Sequence, residues 1–413
     1  MLKTIGRRQL LKTGAAFGVM GLAAPSILRA QTDPIVIAHL TPRTGFLGPM
    51  GEYAVMGVDL AVEHINAGGG IGGRMLEVIK EDSVNPQTAT TKAERLAERR
   101  DVALIMGEIS SASALTISQV AARANKLFIN TGANSDTLRG QDCNRHMFHV
   151  EVQNAMVVNA EGNYLLNNDM VKDKAWYILS ADYAFGHDLR NGALAFLERH
   201  GGRTVGDDLI PTDATDFSSY LLNIRAAAPD VLISNLAGTQ TASFFKQYAE
   251  FGLDIPLAGF DYNTVIAWAI GARDFQGTWP CVWTHQVKAD GSQAFAQSFM
   301  EKYGRPADNQ AYLDYMGLRV MADAIGRVGG TDTEALISFL EDPATDFDVL
   351  KERRGRFNPA NHQLLQEVYA VTALDASEVQ NEWDIFTTSD PVPNADQPLE
   401  VLIEDAVGGA CSF

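Results

Sequence analysis

From Ile35 onward, short apolar runs alternate with longer amphipathic ones. Ile35-Val36-Ile37-Ala38-His39-Leu40 reads as a buried strand and Thr41 to Gly48 as a loop. Tyr53, Met56, Gly57, Leu60, Ala61 and His64 then recur at i, i+3, i+4 spacing, which predicts a helix opened by Pro49 and stopped by Gly68-Gly69-Gly70. A strand from Met75 to Glu81, a helix capped by Asn85-Pro86 and running to Arg100, a strand from Val102 to Met106, a helix from Ala112 to Asn125 and a strand from Leu127 to Asn130 follow. Such β-α-β-α repetition implies a parallel sheet with helices on both faces.

The pattern restarts after Asn154. Helices over 155–167, 186–200, 217–228 and 239–251 interleave with strands over 175–179, 204–210, 231–234 and 256–259. Two successive α/β units of similar size predict two doubly wound lobes, as does a length beyond what one core usually serves. Past Trp279 the order changes to helices over 291–303, 309–328 and 333–341, then short strands near 346–357 and 366–373. The segment 391–405, rich in Pro and acids, reads as a surface tail.

The first 30 residues carry Lys3, Arg7, Arg8 and Lys12 before the uncharged stretch Thr13 to Leu28, which is too short and too small-residue-rich for a permanent span. Arg7-Arg8-Gln9-Leu10-Leu11-Lys12 resembles a twin-arginine export signal, with Ala30-Gln31 the expected cut and the periplasm the destination. Without residues 1–30, 28 of the 33 basic residues remain against all 51 acidic ones, a formal charge of −23. That surface repels nucleic acid and anionic lipid. The mature chain is expected to be a monomer that does not insert into the membrane. Cys143, Cys281 and Cys411 are widely spaced, and an odd count leaves at least one thiol unpaired; buried, inert thiols are the expectation.

Gly68-x-Gly70-x-x-Gly73 matches a dinucleotide fingerprint, but it follows a helix and precedes a strand, so it reads as a helix-stop turn. The eight histidines show no metal-ligand spacing, and no nucleophile elbow or P-loop occurs. No cofactor, metal or catalytic residue is expected. The loops at strand ends carry more. Gly107-Glu108-Ile109-Ser110-Ser111 opens a helix, whose free N–H groups suit an anion, although Ser110 or Ser111 could equally cap its own helix. Asn130-Thr131-Gly132-Ala133-Asn134 is a second polar junction at the carboxyl end of a parallel strand, where open α/β sheets bind ligands.

Thr44-Gly45-Phe46-Leu47-Gly48-Pro49, Ile65-Asn66-Ala67-Gly68-Gly69-Gly70-Ile71-Gly72-Gly73, Glu81-Asp82-Ser83, Ser180-Ala181-Asp182-Tyr183-Ala184-Phe185-Gly186, Thr215-Asp216-Phe217-Ser218 and Gly259-Phe260-Asp261 together resemble the leucine/branched-chain amino-acid-binding proteins. These are type I periplasmic binding proteins of ABC importers, and the resemblance spans about residues 34–375. It implies two lobes joined by a three-segment hinge: 34–152 with about 283–345, and 153–282 with about 346–385, leaving 386–413 as tail. It also implies a small-molecule ligand, a membrane permease as partner, and no enzymatic activity. By position, Ser111 matches the serine that holds an amino-acid carboxylate, and Gly132 and Asn134 match the pair bridging carboxylate and ammonium. Phe185 stands where a tyrosine often closes over the ligand, and Asp261 where an acidic residue pairs the ammonium. Tyr183 and Tyr262 are candidate walls. Asn134 in place of threonine, Phe185 without a hydroxyl and Met50 in place of tyrosine alter the side-chain pocket. An aromatic acid, an amide or urea therefore stays open beside an amino acid, as does a ligand-sensing receptor on the same fold. For Asp261, a cap on a helix beginning near Thr264 is the competing role.

Overall fold

The protein is described by a computed structural model covering residues 33–404 and 410–413. The expected export segment, residues 1–30, lies outside the described residues. The chain begins β1 (Ile35–Thr41), α1 (Gly48–Ala67), β2 (Leu76–Asp82), α2 (Pro86–Ala97), β3 (Val102–Gly107), α3 (Ser111–Arg123), β4 (Leu127–Asn130) and β5 (Met147–His149). It continues α4 (Asn154–Asn167), β6 (Ala175–Ala181), α5 (Ala184–Arg199), β7 (Arg203–Ile210), α6 (Ser218–Ala227), β8 (Val231–Asn235), α7 (Gly238–Glu250), β9 (Leu257–Ala258), α8 (Thr264–Ile270) and β10 (Thr278–Cys281). Three helices follow, α9 (Asp290–Tyr303), α10 (Asn309–Val328) and α11 (Thr333–Leu340), then β11 (Arg356–Phe357), β12 (Leu364–Leu365), β13 (Tyr369–Ala373) and β14 (Phe386–Thr388).

The strands sort into two large sheets, one per lobe, and a separate two-stranded pair of β11 and β12. The first has the order β2-β1-β3-β4-β5 and the second β14-β13-β10-β9-β8-β6-β7. Every pairing in the first is parallel, with Ile37 flanked by Val78 and Leu104. The second is parallel from β7 to β10 and gains two antiparallel strands, β13 and β14, at one edge. The two doubly wound α/β lobes expected from the alternating pattern are thus present. The glycine run after α1 is a turn, with Gly69, Gly70, Gly72 and Gly73 at positive φ ahead of β2.

Helix ends follow local chemistry. Asn85 accepts the Thr88 amide at 2.9 Å while Pro86 fills the first position of α2. Asp308 accepts the Ala311 amide at 2.8 Å to start α10. That helix is buried almost throughout, because α1 lies directly against it. Gly57 permits the contact: a Cβ there would sit 2.2 Å from the Ala311 carbonyl oxygen. Trp283 stacks on Tyr312 with ring centroids 5.1 Å apart, extending this core toward α9 and Phe295.

Several expectations need correcting. Residues 346–365 were placed with the second lobe, but Gln363 bridges His149 of β5 and Phe357 packs edge-on against Phe148. The β11–β12 hairpin therefore covers the open edge of the first sheet. Phe386–Thr388, expected in the tail, pairs with β13 because Phe386 buries its ring in the second lobe's core. The rest of the tail is not loose either. A 3-10 turn over Leu399–Ile403 buries Leu399 and Leu402, and Asn159 of α4 donates to the Leu402 carbonyl at 3.1 Å. Cys143 and Cys411 are joined in a disulfide, which the expectation of inert thiols missed, while Cys281 is buried and free.

Candidate functional site

The carboxyl ends of both sheets face one cavity, part of it open to solvent. The first lobe supplies Leu47 and Met50 near the start of α1, Ile109 after β3, Gly132 and Asn134 after β4, and Glu151 after β5. The second supplies Tyr183 and Phe185 after β6, Ala237 after β8, and Phe260 to Asn263 after β9; Asn309 and Gln310 enter from the first turn of α10.

The two lobes touch around this cavity. Thr239 donates its amide to the Phe46 carbonyl at 3.0 Å, and Thr264 donates its amide to Asn309 Oδ1 at 3.1 Å. Phe46 and Tyr183 meet edge to face at 5.9 Å, and the Ser135 hydroxyl donates to Asp188. This is a closed arrangement.

Its floor is a buried polar network. Asn130 Oδ1 accepts the amides of Gly132 and Ala133 at 3.2 and 2.8 Å, folding the loop back on itself. Gly132 is required there, because a Cβ would fall 2.9 Å from the Glu108 carbonyl oxygen and 3.0 Å from the Gln310 amide. Gln310 donates to the Thr131 carbonyl at 3.0 Å and to Asp314 at 2.7 Å. Asp314 in turn bonds His39 at 2.9 Å and the Thr131 hydroxyl at 2.7 Å. Every donor in this floor is held before any ligand arrives, which is the condition for a preorganised site.

Six of the eight residues expected from the sequence line the cavity: Gly132, Asn134, Tyr183, Phe185, Asp261 and Tyr262. Ser110 and Ser111 do not. Ser110 caps α3, accepting the Ser113 amide at 3.5 Å, and the Ser111 hydroxyl accepts the Ser135 amide at 3.3 Å. Part of this junction's N–H groups is taken by the chain itself, while the Ser111 and Ala112 amides meet no acceptor among the described residues. Glu108 Oε1 accepts the amides of Ile109 and Ser110 at 3.1 and 2.8 Å. Asp261 is not a cap, since Asn263 holds that position on α8. Its carboxylate is approached by the Asn263 side-chain amide at 3.3 and 3.5 Å.

Sequence reasoning missed Glu151, Asn263, Asn309 and Gln310. Glu151 lies in the apolar run Phe148-His149-Val150-Glu151-Val152 and is 4 % exposed, and its Oε1 accepts the Val152 amide at 2.7 Å. A lone carboxylate in such a run is the signal that was available. Burial pushes its pKa up to about 8, and Asp261 adds to the rise while Arg139 and Lys351 oppose it. Burial likewise pushes Asp261 to about 7 and Glu108 to about 7. The Tyr183 phenol is held well above its ordinary range, by burial first and then by the charges of Asp261 and Glu108, so it remains a donor.

Among the described residues no group of three or more His, Cys, Asp or Glu is placed to hold a metal ion, and no helix is long and apolar enough to cross a membrane.

Residues 34–378 match the periplasmic binding protein family. A relative from Brucella melitensis, named Leu/Ile/Val-binding protein homolog 7, is 27% identical over 336 residues, covering 78% of this chain and 84% of its own. A periplasmic binding protein from Burkholderia mallei superposes with a TM-score of 0.80 at 25% identity, over 87% of this chain and 95% of that one. Two further structures share the fold. An R. palustris solute-binding protein in complex with benzoate has a TM-score of 0.76 at 22% identity over 87% of this chain and 96% of its own. A branched-chain amino-acid transporter substrate-binding protein from Streptococcus pneumoniae in complex with isoleucine has 0.72 at 20%, over 87% and 100%.

Proposed function

Because the chain belongs to the periplasmic binding protein family, we propose that it captures a small polar organic compound, an amino acid or a related molecule, and presents it to the permease of an ABC importer. The observation that carries this reading is the closed cavity at the carboxyl ends of two parallel sheets, contributed to equally by both lobes. A trap of this kind works by hinge closure, with the ligand stabilising the shut form.

Gly132, Asn134, Tyr183, Phe185, Asp261 and Tyr262 are the residues we assign to ligand contact. Asp261 fits an ammonium or another N–H-rich group, and Phe185 and Phe260 fit an apolar stem. Similar folds hold isoleucine in one protein and benzoate in another, so the fold alone leaves the ligand to the lining. Arg7-Arg8 supports export by the twin-arginine route, and a monomer is the working state.

A thermal-shift screen of amino acids, amides, amines and aromatic acids on the purified protein tests this reading. A ligand raises the melting temperature once its concentration exceeds its Kd, by an increment that grows with concentration. Small-angle scattering should then show a smaller radius of gyration with that ligand than in its absence. A chain that binds nothing in the screen and keeps one scattering profile is not a trap.

A further inference from the structure

The polar lining of the cavity is unbalanced in charge. Glu151 and Asp261 both face it, and its lining contains no lysine, arginine or histidine. The cations near Glu151 are committed elsewhere. Arg139 donates to the carbonyls of Ala133, Ser135 and Glu151 and to the Gln363 side chain, and Lys351 donates to the Gln366 side chain and the Glu367 carbonyl. Glu151 is buried, and only its Oε1 meets a hydrogen-bond donor among the described residues. No donor among the described residues meets its other oxygen, and Glu151 lines the cavity.

The opposite half of an amino-acid site is altered as well. A ligand carboxylate would be expected at the start of α3. There the Glu108 carboxylate already binds the Ile109 and Ser110 amides, held by a backbone with φ of 72°, a left-handed conformation uncommon for a residue with a side chain. Ser111 has turned to the Ser135 amide. The Ser111 hydroxyl is thus engaged, and a buried carboxylate precedes the helix start.

We propose that the cleft selects an organic compound of net positive charge, an amine or guanidinium whose nitrogen end lies between Glu151 and Asp261. This rests on the reading of the cavity as a ligand trap. A buried carboxylate needs a cation or several donors, and a guanidinium or ammonium brings both in a compact group. A neutral or anionic ligand would leave both carboxyl groups without a cationic partner in a site that excludes water. Asn134, Asn263 and Gln310 add amide acceptors beside the carboxylates, while Met50, Val157, Phe185 and Phe260 line the space for a hydrocarbon stem. In the unliganded cleft, burial keeps Glu151 and Asp261 partly protonated near neutral pH, and a bound cation displaces those protons.

Calorimetric titration of the full mature protein with agmatine, arginine, cadaverine, leucine and benzoate tests the proposal. Agmatine or cadaverine should bind at least tenfold more tightly than leucine, with protons released, so that the observed heat varies with the buffer's ionisation heat. Glu151→Gln, nearly isosteric, should weaken the best cationic probe tenfold or more. Asp261→Asn provides a second reading should the first variant fold poorly. Binding of leucine or benzoate with no response to the three cationic probes would overturn the charge inference and leave the trap intact. Binding of a cationic probe that is insensitive to both variants overturns the assignment of Glu151 and Asp261. If none of the five binds and scattering shows no closure, the trap reading fails together with the inference.

Discussion

The hydroxyl of Ser135, in the loop after β4, donates to the carboxylate of Asp188 on α5, and the Thr137 amide approaches the same oxygen at 3.4 Å. One buried carboxylate of the second lobe thereby gathers a loop of the first, away from the cavity lining. Such a bond exists only when the lobes are shut. Asp188→Ala should shift the ligand-free protein toward an open form, at a cost to the closed state of ~1–3 kcal/mol. Ligand affinity should fall by roughly tenfold, because the competent population falls with it. Scattering profiles and calorimetry on the variant check both effects, and an unchanged radius of gyration with unchanged affinity would remove this contact from the closure.

The ligand-free protein should lose stability as pH rises from about 6.5 to 8. Burial raises Glu108 and Asp261 to about 7, and Glu151, Glu161 and Asp308 to about 8. In the unfolded chain these groups lose their protons near pH 4, so in this window the folded state binds more protons and the slope of stability with pH is negative. Lys351, which burial lowers to about 7, and His64, His146, His149, His285 and His362, which burial also lowers, act in the opposite direction. A net loss of ~2–4 kcal/mol is expected. Chemical denaturation at the two pH values measures it, and a flat or rising profile contradicts the assignment.

Glu161, on α4, contributes to that slope without serving the cavity. It is 0 % exposed and lies outside the lining. Glu161→Met replaces a costly buried acid with an apolar side chain of similar length and should stabilise the protein by ~1–3 kcal/mol at pH 8. At pH 5, where the carboxyl is protonated, the gain should largely vanish. Melting curves of the variant and parent at both pH values decide this.

Ser111→Ala should be a mutation of folding more than of binding. The hydroxyl's partner is the Ser135 amide, and its loss should cost ~1 kcal/mol of stability. Ligand affinity should stay within about threefold. A tenfold loss of affinity at unchanged melting temperature would return Ser111 to the ligand.

The parts of this molecule that follow from local chemistry were readable in the sequence. Strands such as Val102–Gly107 are continuous apolar runs, and helices such as Asn309–Val328 carry a cap and a periodic face. The loops after them could be placed at one rim, and Asp261 and Phe185 could be named. What escaped depends on distant partners. Pro280 disguises β10 as a loop, and β12 and β14 are too short to show a period, whereas strands near β11 and β13 were expected. Glu151 hides in an apolar run, and Glu108 takes the Ile109 and Ser110 amides from a left-handed backbone. The pairing of Cys143 with Cys411 spans 268 residues and leaves no local trace.

That pairing also changes how the cleft's motion should be pictured. The turn at Leu399–Ile403 is packed on α4 of the second lobe, whereas Cys411 is bonded to Cys143, in the segment between β4 and β5 of the first. The end of the chain is thus joined covalently to one lobe and packed by apolar side chains on the other, so opening has a covalent limit beside the energetic one set by contacts. Under reducing conditions that limit is removed, and the same hinge should swing through a wider arc.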